Sequence, residues 1–285
     1  MRPSFVIQVA LLALAVLLTE RHGIAAPPLP VERLVVFGDS SVDNGNLFRM
    51  TGGKIPSSPP NWQGRFSNGP NVAEYLAKGL GAKLQNYAVS GATTGTDGFY
   101  ASTGVRSQID QFINKDTGKL GPKDLVVLWA GSSDINGVQD SAALAKAING
   151  ASANISASID RLYRVGVRRI LVANRAPTLN SDDALKTIDL NKAIAVAVTK
   201  AAKRTGASIY LFDANGTIAD MMHNPARYNF VQVGAPCDRL AACRDEKYEA
   251  GLKVSNEYIF WDAAGHKTTR VHALMAEKIL GMVKP

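Results

Sequence analysis

The chain has 285 residues, 46% of them hydrophobic, and carries a formal charge of +8 at pH 7. That length and apolar content allow one large domain with a sizeable buried core. The basic residues are scattered rather than gathered into a tract, which excludes a nucleic-acid-binding arm. Such a surface is either ordinary solvated Lys and Arg or suited to transient docking on anionic lipid or polymer.

The first element is an export pattern. Arg2 gives a positive start, residues 5–18 are apolar apart from Gln8, and Gly23-Ile24-Ala25 places small residues before a cleavage site. Residues 1–25 are therefore expected to be a signal peptide, leaving 26–285 as a single domain that is secreted or periplasmic. The apolar run is shorter than the ~20 residues a membrane span needs. No later segment is long and apolar enough to cross a bilayer, so no stable membrane insertion is expected after cleavage.

Five β-rich runs follow, at residues 33–37, 84–89, 124–129, 169–174 and 208–212. Their near-continuous apolar character suits strands covered on both faces, as in a parallel sheet. Helical spacing appears at 70–80, 142–165, 190–204 and 276–282, with Gly81 and Gly206 as stops. Strand–helix alternation of this kind predicts a doubly wound sheet. The Pro-, Gly-, Ser- and Asn-rich stretches 52–69 and 93–104 read as loops. Cys237 and Cys243 are the only cysteines, and a close pair in an exported chain reads as one disulfide. Two cysteines and few histidines offer no metal-ligand cluster of the usual spacing.

Open α/β sheets bind ligands at the carboxyl ends of their strands. Three polar, Gly-containing turns sit there: Gly38-Asp39-Ser40, Ser90-Gly91 and Gly131-Ser132-Ser133-Asp134. Of the four histidines, His22 leaves with the signal, His223 sits at a helix end, and His272 has no carboxylate placed as Asp262 is before His266.

Val36-Phe37-Gly38-Asp39-Ser40-Ser41-Val42-Asp43-Asn44-Gly45-Asn46 resembles the first block of the GDSL (SGNH) hydrolases. Gly64-Arg65-Phe66-Ser67-Asn68-Gly69, Asn86-Tyr87-Ala88-Val89-Ser90-Gly91-Ala92, and Phe260-Trp261-Asp262 with His266 and Thr268 resemble later blocks of the secreted lipase-like branch, in family order. The resemblance implies a flavodoxin-like, three-layer α/β/α fold with a five-stranded parallel sheet. It also implies a serine esterase or lipase with Ser40 as nucleophile, His266 as base and Asp262 as its orienting carboxylate. The oxyanion hole would use the backbone N–H groups of Ser40 and Gly91 together with the residue at position 133. Metal and organic cofactors are not expected, and the substrate would be a small-molecule or lipid ester, with lipid or phospholipid acyl esters favoured. Polysaccharide deacetylation, acyl transfer to an alcohol, and a non-catalytic binding protein are the alternatives.

Two positions depart from the family pattern. Ser133 stands where the family has an Asn whose amide donates to the oxyanion. Its hydroxyl could donate instead, a water could bridge, two backbone donors could suffice, or Ser133 could satisfy its own turn. Between Asp262 and His266 lie three residues, Ala263-Ala264-Gly265, one more than the family has. Either Gly265 permits a bulge that returns the carboxylate to the imidazole, or a backbone carbonyl orients His266 and Asp262 is structural.

Overall fold

The computed structural model describes residues 30–115 and 120–284. The expected signal segment, 1–25, lies outside the described residues. The chain runs through β1 (Arg33–Gly38), α1 (Asn46–Met50), α2 (Val72–Leu80), β2 (Lys83–Asn86), α3 (Val105–Lys115), β3 (Asp124–Trp129), α4 (Ser132–Ile135) and α5 (Ser141–Arg164). It continues through β4 (Arg169–Ala173), α6 (Asp183–Thr205), β5 (Ser208–Phe212), α7 (Ala214–His223), β6 (Gln232–Pro236), α8 (Ala241–Asp245), β7 (Tyr258–Phe260) and α9 (Thr269–Val283).

The first five strands form a parallel sheet in the order β2-β1-β3-β4-β5. This is the flavodoxin-like order, whose switch point lies between β1 and β3. Successive side chains on a strand alternate between faces, so each apolar run supplies two cores. Val35, Phe37, Val126, Leu128, Ile170 and Val172 pack with α3, α5 and α6. Leu34, Val36, Leu125, Val127, Leu171 and Ala173 pack with α2, α7 and α9. Helices on both faces make the three layers, and each fully buried Leu, Ile or Phe stabilises them by about 1.5–3 kcal/mol.

The strands expected at 124–129 and 208–212 are observed with those bounds. The second strand is shorter than its apolar pattern suggests: β2 stops at Asn86. Tyr87 and Val89 still donate backbone hydrogen bonds to the carbonyls of Val36 and Gly38. Helix α2 begins at Val72 because Asn71 caps it in a reciprocal capping box with Glu74, and it ends at Gly81 in the left-handed conformation. Helices α6 and α9 each begin about two turns before their apolar periodicity starts.

Helix α3, helix α7 and the parallel pair β6–β7 were not expected from the pattern. Beside that pair Cys237 and Cys243 are joined in a disulfide, Cα atoms 5.7 Å apart, as expected. It packs with Tyr258 and Trp261, directly before Asp262. No described helix is long and apolar enough to cross a membrane.

Candidate active site

Strand β1 ends against β3 with almost no room. A Cβ on Gly38 would collide with the Trp129 carbonyl, and Asp39 donates its backbone N–H to that oxygen at 3.0 Å. The buried amide of Gln108 on α3 grips Gly38 at both ends: Oε1 accepts its N–H and Nε2 donates to its carbonyl, each at 2.9 Å. This fixes the turn from which Ser40 projects. Asp39 accepts the N–H of Ser41, and burial raises its carboxyl above the ordinary range despite that bond.

The turns after β1, β2 and β3 are tied together by two carboxylates, Asp43 buried and Asp134 half-buried. Asp43 accepts backbone N–H groups from Gly45, Asn46 and Leu47 in its own turn, and from Ser90 beside Gly91 at 2.8 Å. Asp134, after β3, accepts both the N–H and the hydroxyl of Thr94. Burial pushes both carboxyls up, while these hydrogen bonds pull them back. The residue types in these blocks therefore hold backbone in place around the cleft.

Three turns and one loop converge on a cleft of about 510 Å³, lined by Ser40, Gly91, Ser133 and His266 among others. The Ser40 hydroxyl lies 2.9 Å from His266 Nε2. His266 Nδ1 lies 2.6 Å from Asp262 Oδ2. An ionised carboxylate only accepts, so Nδ1 carries the proton and Nε2 offers its lone pair to the Ser40 hydroxyl. Burial by itself would raise the Asp262 carboxyl, but the hydrogen bond and charge of His266, with Lys267 further off, hold it below the usual range.

The extra residue does not separate these groups. Gly265 adopts φ +88°, its N–H returns to the Asp262 carbonyl at 3.0 Å, and the His266 N–H reaches Asp262 Oδ1 at 3.1 Å. One carboxylate thus caps the turn with one oxygen and faces the imidazole with the other. A Cβ at Gly265 would stand 3.1 Å from Thr178, so both conformation and space call for glycine. Of the two readings, the bulge is the one observed.

The Gly64–Gly69 block serves the same end. Phe66 packs its ring 4.9 Å from the imidazole, and Asn68 Oδ1 caps α9 by accepting the Thr269 N–H. Gly91 adopts φ +81°, and neither its N–H nor that of Ser40 has a partner among the described residues. The Ser133 hydroxyl also makes no hydrogen bond among them, and the residue lines the cleft at the start of α4. All three residues line the cleft, and their two backbone N–H groups and one hydroxyl have no partner among the described residues.

The remaining histidines stand apart from this chain of hydrogen bonds. His223 is exposed at the end of α7. His272 is buried on α9, its imidazole pushed down to about 3 by burial and by the charges of Lys267 and His266. Gln108 and Lys267 escaped the sequence reading. A buried Gln among the apolar residues of α3 and a Lys directly after His266 carry no local sign of the partners they bond.

The solved structure of a lipolytic G-D-S-L family protein from Veillonella parvula shares 14% identity with the chain. It covers 89% of this chain and 98% of its own, at a TM-score of 0.52. A catalytic mutant of an acetylxylan esterase from Geobacillus stearothermophilus matches at 14% identity over 89% and 95%, with a TM-score of 0.53. Both share the fold. In sequence, the thermolabile hemolysin of Vibrio parahaemolyticus is 27% identical across 90% of this chain. The phosphatidylcholine-sterol acyltransferase of Aeromonas hydrophila is 28% identical across 72%. The matched regions span 65% of the length of each of these two relatives. Residues 34–279 match the family model described as GDSL-like lipase/acylhydrolase, from the turn-bearing first strand to the last helix, and the chain belongs to that family.

Proposed function

We propose that the protein is a serine ester hydrolase working through an acyl-Ser40 intermediate. The observation that carries this reading is the unbroken line Ser40 Oγ–His266–Asp262, at 2.9 and 2.6 Å. Ser40 Oγ attacks the ester carbonyl carbon while His266 Nε2 takes its proton. The carbonyl oxygen gains the negative charge and meets the vacant N–H groups of Ser40 and Gly91, with the Ser133 hydroxyl as third donor. Asp262 stabilises the imidazolium, which then protonates the departing alcohol oxygen as the C–O bond breaks. Water attacks the acyl-enzyme by the same route, giving its proton to His266 and restoring Ser40. Each oxyanion donor is worth about 2.7–4 kcal/mol in the transition state.

The favoured substrate class is a lipid or phospholipid acyl ester, motivated by the relative named a phosphatidylcholine-sterol acyltransferase. Acyl transfer to an alcohol acceptor is the second reading, motivated by the relative named an acyltransferase. Deacetylation of a polysaccharide remains an outcome that the test separates. Residues 1–25 act as the export signal and 26–285 as one hydrolase domain in this reading. The buried Cys237–Cys243 disulfide supports an oxidising compartment.

An active-site phosphonate and an ester panel test the proposal together. Labelling should fall on Ser40, Ser40→Ala should abolish turnover with unchanged circular dichroism, and longer acyl chains should be preferred over acetylated xylan. A folded protein that takes no label would instead be a non-catalytic binder.

A further inference from the structure

Lys267 follows His266 directly and is only 6% exposed. A lysine buried this deeply has surrendered most of its hydration, so its partners define its purpose. Its Nζ donates to the Pro177 carbonyl at 2.9 Å and to the Gly265 carbonyl, and it lies 4.7 Å from the centre of the Phe260 ring. Those anchors come from three places: the segment leaving β4, the Asp262–His266 turn, and the end of β7.

The contact with Gly265 has a particular consequence. The peptide unit joining Gly265 to His266 is held at its N–H by Asp262 Oδ1 and at its C=O by Lys267 Nζ. The His266 carbonyl is held in turn by the Trp261 N–H at 2.7 Å. The plane from which the imidazole projects is therefore gripped from both sides. Gly265 is the flexible point of this longer turn, at φ +88°, and Lys267 also tethers it to the neighbouring 177–178 segment.

We propose that Lys267 is a positioning residue, which locks the 265–266 peptide and so keeps His266 on the line between Asp262 and Ser40. This rests on the reading of Ser40 as the nucleophile. Lys267 acts through the turn, not on substrate. A catalytic group displaced by about 1 Å can lose on the order of 10²-fold in rate, so a loosened turn acts on the chemical step rather than on binding.

The grip is also sensitive to protonation. Burial brings the Lys267 ammonium down to about 7; Asp262 opposes that fall and Arg175 adds to it. His272, from α9, is the other titratable group that senses its charge. Hydrogen bonds donated by an ammonium are roughly twice as strong as those from a neutral amine. The turn is thus held most firmly below neutral pH.

Lys267→Met removes charge and donors while keeping an unbranched side chain. In protein titrated with an active-site phosphonate, the expected result is labelled Ser40, unchanged KM, and kcat lowered about tenfold or more. Lys267→Arg, which keeps charged donors, should recover part of the loss. In the unsubstituted protein kcat should fall as pH rises through about 7, an inflection that Lys267→Met abolishes. Folded, labelled Lys267→Met with kcat within about twofold and the same pH profile overturns the proposal. If Lys267→Met does not fold, Lys267→Gln, neutral and with a shorter amide donor, takes its place, and folded, labelled Lys267→Gln with kcat within about twofold of the parent overturns the proposal equally. Failure of the unsubstituted protein to take the phosphonate at Ser40 is a different result: it removes the nucleophile reading itself, and the role of Lys267 with it.

Discussion

Replacing Asp262 with Asn separates the two tasks that one carboxylate performs. Its Oδ1 accepts the His266 N–H at 3.1 Å, and its Oδ2 accepts the ring Nδ1–H at 2.6 Å. An amide has a single acceptor oxygen and cannot do both. If that oxygen stays on the backbone, the NH₂ faces Nδ1 and favours the tautomer protonated at Nε2. That nitrogen then has no lone pair for the Ser40 proton, and a wrong tautomer costs about 10⁴ in kcat, or roughly 5.5 kcal/mol. If the oxygen turns to the ring, the His266 N–H loses its partner, at a stability cost of about 1–3 kcal/mol. The assay is turnover of a short p-nitrophenyl ester with active sites titrated and melting followed in parallel. A folded Asp262→Asn protein within about tenfold of the parent would refute this, and would leave the carboxylate only as the cap of the turn. The pH dependence of stability gives an independent check. The Asp262 carboxyl is held below its ordinary value, so its contribution is full above about pH 4 and is lost as pH falls through the lower folded value. The stability difference between parent and variant should be flat at neutral pH and shrink in acid.

Two further substitutions probe the departures from the family pattern. Ser133→Asn should preserve or raise kcat, and Ser133→Ala should lower it by about 10- to 10³-fold with little change in KM, if the hydroxyl serves the oxyanion. A collapse of Ser133→Asn would assign position 133 another task. Gly265→Ala forces a side chain into φ +88° and brings its Cβ to 3.1 Å from Thr178. It should destabilise by about 1–3 kcal/mol and lower kcat more than tenfold, read by thermal melting and steady-state kinetics. An unchanged kcat there would mean that the turn's shape does not control His266.

What the sequence made legible follows from where each signal is stored. Strand β3 is legible because it is central and buried at every position, apolar from Leu125 to Trp129. Edge strand β5 is half-buried, and its run Ile209–Phe212 is marked off by Gly206 before it and Asp213 after it. Helix α9 was read only in its second half. Its first turn is built from Thr269, Arg270 and His272 and is capped by Asn68, some 200 residues away in sequence, so nothing local announces it. The first turns of α6 carry exposed Leu185 and Ile188, which blur the periodic stripe. Helix α3 carries Val105, Ile109, Phe112 and Ile113 at helical spacing, so the element itself is written in the sequence; the grip of its buried Gln108 on Gly38 is not, because nothing local links two residues 70 apart.

The site divides in the same way. That Ser40, Asp262 and His266 come together was legible because they stand in ordered blocks that resemble the family's. The way they are held was not, because holding is done by whichever donor lies nearby in space. The extra residue before His266 illustrates the point. In sequence alone it weakens the link between Asp262 and His266, since each added peptide adds conformers that compete with the productive one. In the fold, both polar ends of the added turn's last peptide are occupied, one by Asp262 and one by Lys267. A longer turn without Lys267 would leave a buried carbonyl without its donor and a glycine hinge next to the proposed base, His266. A lysine at 267 without the longer turn would be a buried cation lacking one of its two carbonyl partners. Each feature makes physical sense only with the other, which is why the Gly265 and Lys267 substitutions should fail to add when combined.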